Sequence, residues 1–183
     1  MSIVRPTGAC AALCGRTCIG KTPTMRAISG TLPVSAGSLR LNCRRIENRR
    51  ASAIASRGLV LVPEGRGVFP GLTVADNLAI AHRSGGKAAG DFASFLAGVS
   101  EAFPVLGQRM SQTAGLLSGG EQQMLAISRA LSGDPSLLLF DELSMGLAPI
   151  IVDQLMDHVA KLRGEGRTSV RGEQDLTHAP QPA

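Results

Sequence analysis

Apolar positions along this chain fall into two rhythms. Short continuous runs mark strands. Leu59-Val60-Leu61-Val62 stops at Pro63, and Leu137-Leu138-Leu139-Phe140 stops at the carboxylates of Asp141 and Glu142. Four large apolar residues bounded by breakers read as a strand buried on both faces. Ala9 to Cys14 is a run of smaller residues ending at Gly15, and Ser38 to Leu41 is a further candidate strand. Elsewhere apolar residues recur at helical spacing. Lys21 to Ser29 reads as a helix closed by Gly30, with Pro33 preventing its continuation. Thr73 opens a second helix with Asp76 as its capping partner. Residues 83–90 read as a loop, and helical spacing resumes from Asp91 to Phe103. Met124, Ile127 and Leu131 form the buried stripe of one later helix. Ile151, Leu155, Val159 and Leu162 form that of another, opened by Pro149 and ended at Gly164. Strands alternating with helices imply an α/β core with a mostly parallel sheet, and there is no internal repeat.

Composition narrows this picture. The 183 residues are 44% hydrophobic, enough for one domain with a real core. Trp and Tyr are absent and the first Phe is Phe69, so the core must be aliphatic. A net charge of +5 suits an anionic ligand without specifying nucleic acid. Arg44, Arg45, Arg49, Arg50 and Arg57 are interrupted by Glu47 and carry no interleaved aromatics for base stacking. They read as a solvated basic face, with no nucleic-acid partner. No apolar run reaches the ~18–20 residues of a membrane span. Gly8 to Cys14, behind Arg5, is too short for the apolar region of a signal peptide. Cys10, Cys14, Cys18 and Cys43 match no zinc spacing, and no histidine lies near them in sequence. They are expected as small buried thiols in a reducing compartment.

Three motifs carry chemistry. Gly15-Arg16-Thr17-Cys18-Ile19-Gly20-Lys21-Thr22 matches G-x-x-x-x-G-K-[ST], a loop whose backbone N–H groups converge on phosphate oxygens. The following helix N-terminus adds partial positive charge, Lys21 adds a full one, and the Thr22 hydroxyl can hold Mg²⁺. This copy departs from the usual form at two positions. Cys18 stands where a third glycine is common, which reduces access to positive φ. Pro23 is tolerated in a first helical turn but removes an N–H that could face a phosphate, a loss of about 1–3 kcal/mol.

The second motif is Leu117-Ser118-Gly119-Gly120-Glu121-Gln122-Gln123. Ser118 and Glu121 have the spacing of a capping box, while Gly119 and Gly120 expose backbone N–H groups to an anion. A structural cap and a phosphate site both fit these residues. The third is Asp141-Glu142 at the end of an apolar strand, where ligands sit in open parallel sheets. Neighbouring strand residues point to opposite sides, so the acids can divide the work. Asp141 would hold Mg²⁺ and Glu142 would orient or deprotonate the attacking water.

Together these elements resemble the ATP-binding subunit of ABC transporters, from about Gly8 to Asp175. Gly15 to Thr22 is similar to Walker A, Leu117 to Gln123 to the ABC signature, and Leu137 to Glu142 to Walker B. Ser144 to Pro149 is similar to the D-loop. Val62-Pro63-Glu64-Gly65-Arg66 and Val68-Phe69-Pro70-Gly71-Leu72-Thr73-Val74 resemble the branched-chain amino-acid (or amide and urea) importer subfamily. In that subfamily an acid, here Glu64, replaces the usual Q-loop glutamine and joins the metal site.

The resemblance implies a P-loop NTPase core with a mostly parallel sheet over residues 1–178. A helical subdomain at about 75–130 would carry the signature turn, followed by a disordered tail at 179–183. It implies ATP and Mg²⁺ as ligands and a second ATP-binding subunit as partner. Ser118, Gly119, Gly120 and Glu121 of one subunit would close on ATP held by the other. It also implies transmembrane permease subunits docked near 64–116, which would hold the chain on the cytoplasmic face of the plasma membrane. Gln174 falls at the switch position usually held by His. Against the family pattern, only seven residues precede Gly8, where the first strands and an adenine-stacking aromatic belong. Arg171-Gly172 interrupts the strand expected before Gln174, and Leu143 replaces a common proline. The sequence therefore reads as a truncated or degenerate copy of an ABC-type ATPase, lacking the family's first strands and C-terminal end. The alternative is a non-catalytic remnant that binds nucleotide weakly or not at all.

Overall fold

The computed structural model describes residues 10–14, 21–41, 43–63, 65, 67–84, 91–141 and 168–173, in two compact units. The first unit draws on residues 1–63, 135–143 and 159–183. It contains β1 (Cys10–Cys14), α1 (Lys21–Ile28), β2 (Arg40–Leu41), β3 (Arg44–Arg45), α2 (Ala51–Ala55), β4 (Leu59–Val62), β5 (Leu137–Asp141) and β6 (Thr168–Glu173). Four strands form one sheet in the order β1-β6-β5-β4, and every pairing is parallel. The expected α/β core with a parallel sheet is what forms.

Strand β5 lies inside this sheet, and all five of its residues are buried, as its unbroken apolar run requires. Leu137 and Leu139 share one face of it and join Ile28, Leu41, Ile46, Ile54 and Leu59 in a single aliphatic cluster. Strand β6 corrects the sequence reading. Arg171 and Gly172 do not interrupt it: the strand runs through both, with Gly172 in register with Leu13 on one side and Asp141 on the other. A strand paired along both edges satisfies its backbone groups without an apolar run, so tertiary pairing overrides local preference.

The candidate strand at Ser38 to Leu41 shortens to Arg40–Leu41, which pairs antiparallel with Arg44–Arg45. Only Leu41 of the pair is buried. Cys43, in the turn, is exposed at φ 63°, so this thiol is not the buried one expected. Cys10 and Cys14 lie in β1, and Cys18 lies outside the described residues.

Helix α1 carries Pro23 in its first turn and ends as expected at Gly30, which has φ +78°. A Cβ there would lie 2.6 Å from the Arg49 carbonyl oxygen and 2.8 Å from Ile54 Cδ1. Gly30→Ala should therefore lower the unfolding free energy by about 1–3 kcal/mol, combining backbone strain with collision. A urea midpoint within error of the parent chain would refute this.

The second unit spans residues 64–134 and 144–158. Its described helices are α3 (Val74–Ser84), α4 (Phe92–Ala102), α5 (Pro104–Gly107) and α6 (Gly119–Leu131), with a 3₁₀ turn at Ala114–Leu116. Thr73 caps α3 in a variant of the expected box. Its Oγ1 accepts from the Asp76 N–H at 3.0 Å, and its hydroxyl donates to the Asp76 carboxylate at 2.6 Å. Asp91 caps α4 by accepting from the Ser94 N–H, and that bond is the first cause holding its carboxyl below the ordinary range. Among the described residues no helix is long and apolar enough to cross a membrane. The D-loop positions, the Pro149 helix and the tail at 179–183 lie outside the described residues.

Candidate functional site

Three strand ends define the first unit's site. Cys14 is in register with Glu173, and Asp141 with Gly172, so β1, β5 and β6 finish together at one edge of the sheet. In sequence, these strand ends are followed by Gly15, Glu142 and Gln174. Parallel order alone thus brings Cys14, Asp141 and Glu173, the residues preceding three sequence-predicted positions, to the edge where α/β proteins bind ligands.

One contact joins two of those segments. The Thr22 hydroxyl, in the first turn of α1, donates to Asp141 Oδ1 at 3.0 Å across a sequence separation of 119 residues. Asp141 is only 4% exposed, because it closes a fully buried strand inside the sheet. A hydroxyl and a carboxylate are both hard oxygen ligands. Adjacent ligands at the 2.0–2.1 Å Mg–O distance are about 2.9 Å apart, close to the spacing found here. The Thr22–Asp141 pair therefore fits a small divalent cation. Lys21 starts α1. Gly15, Arg16, Thr17, Cys18, Ile19, Gly20, Glu64, Glu142 and Gln174 lie outside the described residues.

The second unit carries the signature turn. Ser118 Oγ accepts from the Glu121 N–H at 3.3 Å, and the Glu121 carboxylate accepts from the Ser118 N–H at 2.8 Å. The capping box read from the sequence is thus formed. Arg109 adds an ion pair to Glu121 at 3.4 Å. Capping does not exhaust the turn. The Ser118 hydroxyl uses its oxygen as acceptor and keeps its proton to donate. Gly119 and Gly120 begin α6, where N–H groups have no intrahelical acceptor. A cap and an anion site are therefore compatible in the same residues.

Two residues of the second unit carry no motif and were missed in the sequence. Asn77, fully buried on α3, accepts from the Phe69 N–H at 2.8 Å. It donates to the Phe69 carbonyl at 3.0 Å and the Thr73 carbonyl at 2.9 Å. A polar residue on the stripe with Val74 and Leu78 was its only signal. Arg129, in the last turn of α6, sits over the Phe69 ring. In the first unit, Arg40, Arg44, Arg45, Arg49, Arg50 and Arg57 are exposed. Glu47 pairs with Arg45, and its carboxyl is held below the ordinary range, first by its own backbone N–H and then by Arg45.

Comparison with known proteins agrees with this geometry. A family model described as "ABC transporter" matches residues 1–144. The chain is 40% identical, over 98% of its length and 76% of the relative's, to the high-affinity branched-chain amino acid transport ATP-binding protein BraG of Pseudomonas aeruginosa. It is 32% identical, over 82% of its length and 63% of the relative's, to the probable branched-chain amino acid transport ATP-binding protein LivF of Archaeoglobus fulgidus. Among solved structures, an ATP-binding subunit of an ABC transporter superposes with a TM-score of 0.82 at 22% identity, covering 97% of this chain and 72% of that one. A nucleotide-free ATP-binding cassette superposes with a TM-score of 0.79 at 23% identity, covering 93% and 72%. These two likenesses establish the P-loop NTPase fold.

Proposed function

Because the chain belongs to the ABC transporter family and is an ABC-type ATPase by resemblance, we propose that it is the ATP-binding subunit of an importer for branched-chain amino acids or related solutes. The observation that carries this is the Thr22–Asp141 contact, which joins the phosphate-loop helix to the strand of paired acids. In this reading the backbone of Gly15 to Gly20 cradles the ATP phosphates, and Lys21 neutralises their charge. Thr22, Asp141 and Glu64 hold Mg²⁺, which when bound offsets charge building on the β- and γ-phosphates. Glu142 aligns and deprotonates water in line with the γ-phosphorus, and Gln174 donates to the same phosphoryl group. Ser118, Gly119 and Gly120 supply donors to ATP on a second copy or a related subunit, with Glu121 fixing the turn as its cap. The pair of subunits drives membrane permease subunits from the cytoplasmic side.

Pro23 favours a second reading. It occupies the first turn of α1 and removes an N–H from the phosphate-facing end, consistent with a remnant that binds nucleotide weakly. Titration with a fluorescent ATP analogue in the presence of Mg²⁺, paired with phosphate-release kinetics, separates the two. Saturable binding with Mg²⁺-dependent release supports the ATPase. Binding without release supports the remnant, and no binding at millimolar analogue refutes the importer role for this chain.

A further inference from the structure

We infer that Arg129 is a positioning residue that couples the signature turn, at one end of α6, to the segment Gly67–Leu72 held at the other. The inference rests on the ATP-binding reading above. Helix α6 is a rigid rod of 13 residues. Ser118 caps its start, and Arg129 stands in its last turn. The Arg129 guanidinium carbon lies 4.5 Å from the Phe69 ring centroid, and an Nη–H donates to the Gly67 carbonyl. One planar group thus lies over a ring while its fork donates to a backbone carbonyl, which an aliphatic side chain cannot do and a lysine, lacking the plane, cannot do in the same geometry.

This grip is not the cheapest packing solution. Arg129 Nε is buried with no partner among the described residues, and burial holds the guanidinium below its ordinary range. A methionine would fill the same space without that desolvation cost. What the arginine adds is direction.

The segment is also gripped from the start of α6. The Ala114 N–H donates to the Leu72 carbonyl at 2.8 Å and the Gly115 N–H to the Pro70 carbonyl at 2.9 Å, just before the chain enters Ser118. A Cβ on Gly115 would lie 3.0 Å from that Pro70 oxygen, so the approach is close. Phe69 is meanwhile clamped to α3 by Asn77. A segment held at both ends of one helix follows that helix when a phosphate engages its N-terminus. This supplies the contiguous path that coupling between sites requires.

The absence of Trp and Tyr makes the test direct, since Phe69→Trp introduces the chain's only indole and retains the cation–π contact. Emission is followed while a non-hydrolysable ATP analogue and Mg²⁺ are added, in Phe69→Trp and in Phe69→Trp with Arg129→Met. A separate fluorescent ATP analogue reports affinity in each. The expected result is an emission change in the first chain that collapses in the second, with affinity within about twofold, smaller than the effect by which coupling residues act. Equal responses overturn the inference, as does binding without response in the Phe69→Trp chain that keeps its arginine. No binding in either chain refutes the ATP reading and this role with it. Should the Arg129→Met chain fail to fold, Arg129→Lys decides. Lysine keeps the charge but loses the planar fork that spans ring and carbonyl, so a reduced response supports the role and a full one overturns it.

Discussion

Exchanging Asp141 for asparagine should lower Mg²⁺-dependent ATP turnover by about 10²–10³-fold while changing the unfolding free energy by less than about 1 kcal/mol. The two effects separate because the carboxylate has different uses in folding and in chemistry. In the fold it accepts one hydrogen bond among the described residues, from Thr22 Oγ1 at 3.0 Å, while buried to 4% exposure. An asparagine oxygen accepts the same bond, and the neutral amide carries no cost of burying a charge. A neutral amide is a poor ligand for a hard dication, so the loss falls on the metal. Glu142→Gln should fail differently, retaining nucleotide binding and its Mg²⁺ dependence while turnover disappears at every Mg²⁺ concentration. The measurement is phosphate release across a Mg²⁺ titration. Asp141→Asn should raise the half-saturating Mg²⁺, and an unchanged midpoint would remove Asp141 from the metal site.

How much of this could be read from sequence depended on where each element finds its partners. Strands β4 and β5 announce themselves, because burial on both faces demands the runs Leu59–Val62 and Leu137–Phe140. The caps were equally legible. Thr73 with Asp76 and Ser118 with Glu121 are local devices, complete within four residues. Strand β6 was not legible, because its order comes from β1 and β5 on either side, and a glycine costs little once both edges are paired. The short hairpin of β2 and β3 was hidden for a related reason. Its arginines face solvent, and Leu41 and the flanking Ile46, with the partly buried Leu39, anchor it in the aliphatic cluster.

The functional residues divide in the same way. Thr22 and Asp141 were each read by motif as Mg²⁺ ligands, and the fold supplies the direct contact between the two side chains. Asn77 and Arg129 belong to no motif, since each acts on backbone carbonyls brought near by tertiary folding. A single sequence marks such residues only as polar side chains on a buried helical stripe. Asn77 carries that mark between Val74 and Leu78, and Arg129 between Ser128 and Ala130.

Leu139→Ala should cost about 2–5 kcal/mol of folding stability, toward the upper end of that range. Leu139 is fully buried in the middle of β5, an interior strand whose neighbours β4 and β6 are fixed by hydrogen bonds on both edges. The cavity cannot close by moving the strand, because a shift large enough to fill it would break two ladders. Ile28 and Ile54, which share its aliphatic cluster, come from separate helices. Gly30, at the end of α1, lies against the Arg49 carbonyl and Ile54, so collapse there is blocked as well. The cost is then the lost transfer energy plus nearly the whole cavity term, a large share of the roughly 5–15 kcal/mol that holds a domain folded. Urea unfolding should show a lower midpoint with an unchanged slope. Because Leu139 stands two residues before Asp141 on the same strand, the folded fraction should keep its Mg²⁺ half-saturation. A midpoint that barely moves would mean that β5 can shift within the sheet, and would weaken the case that the strand holds Asp141 rigidly against Thr22.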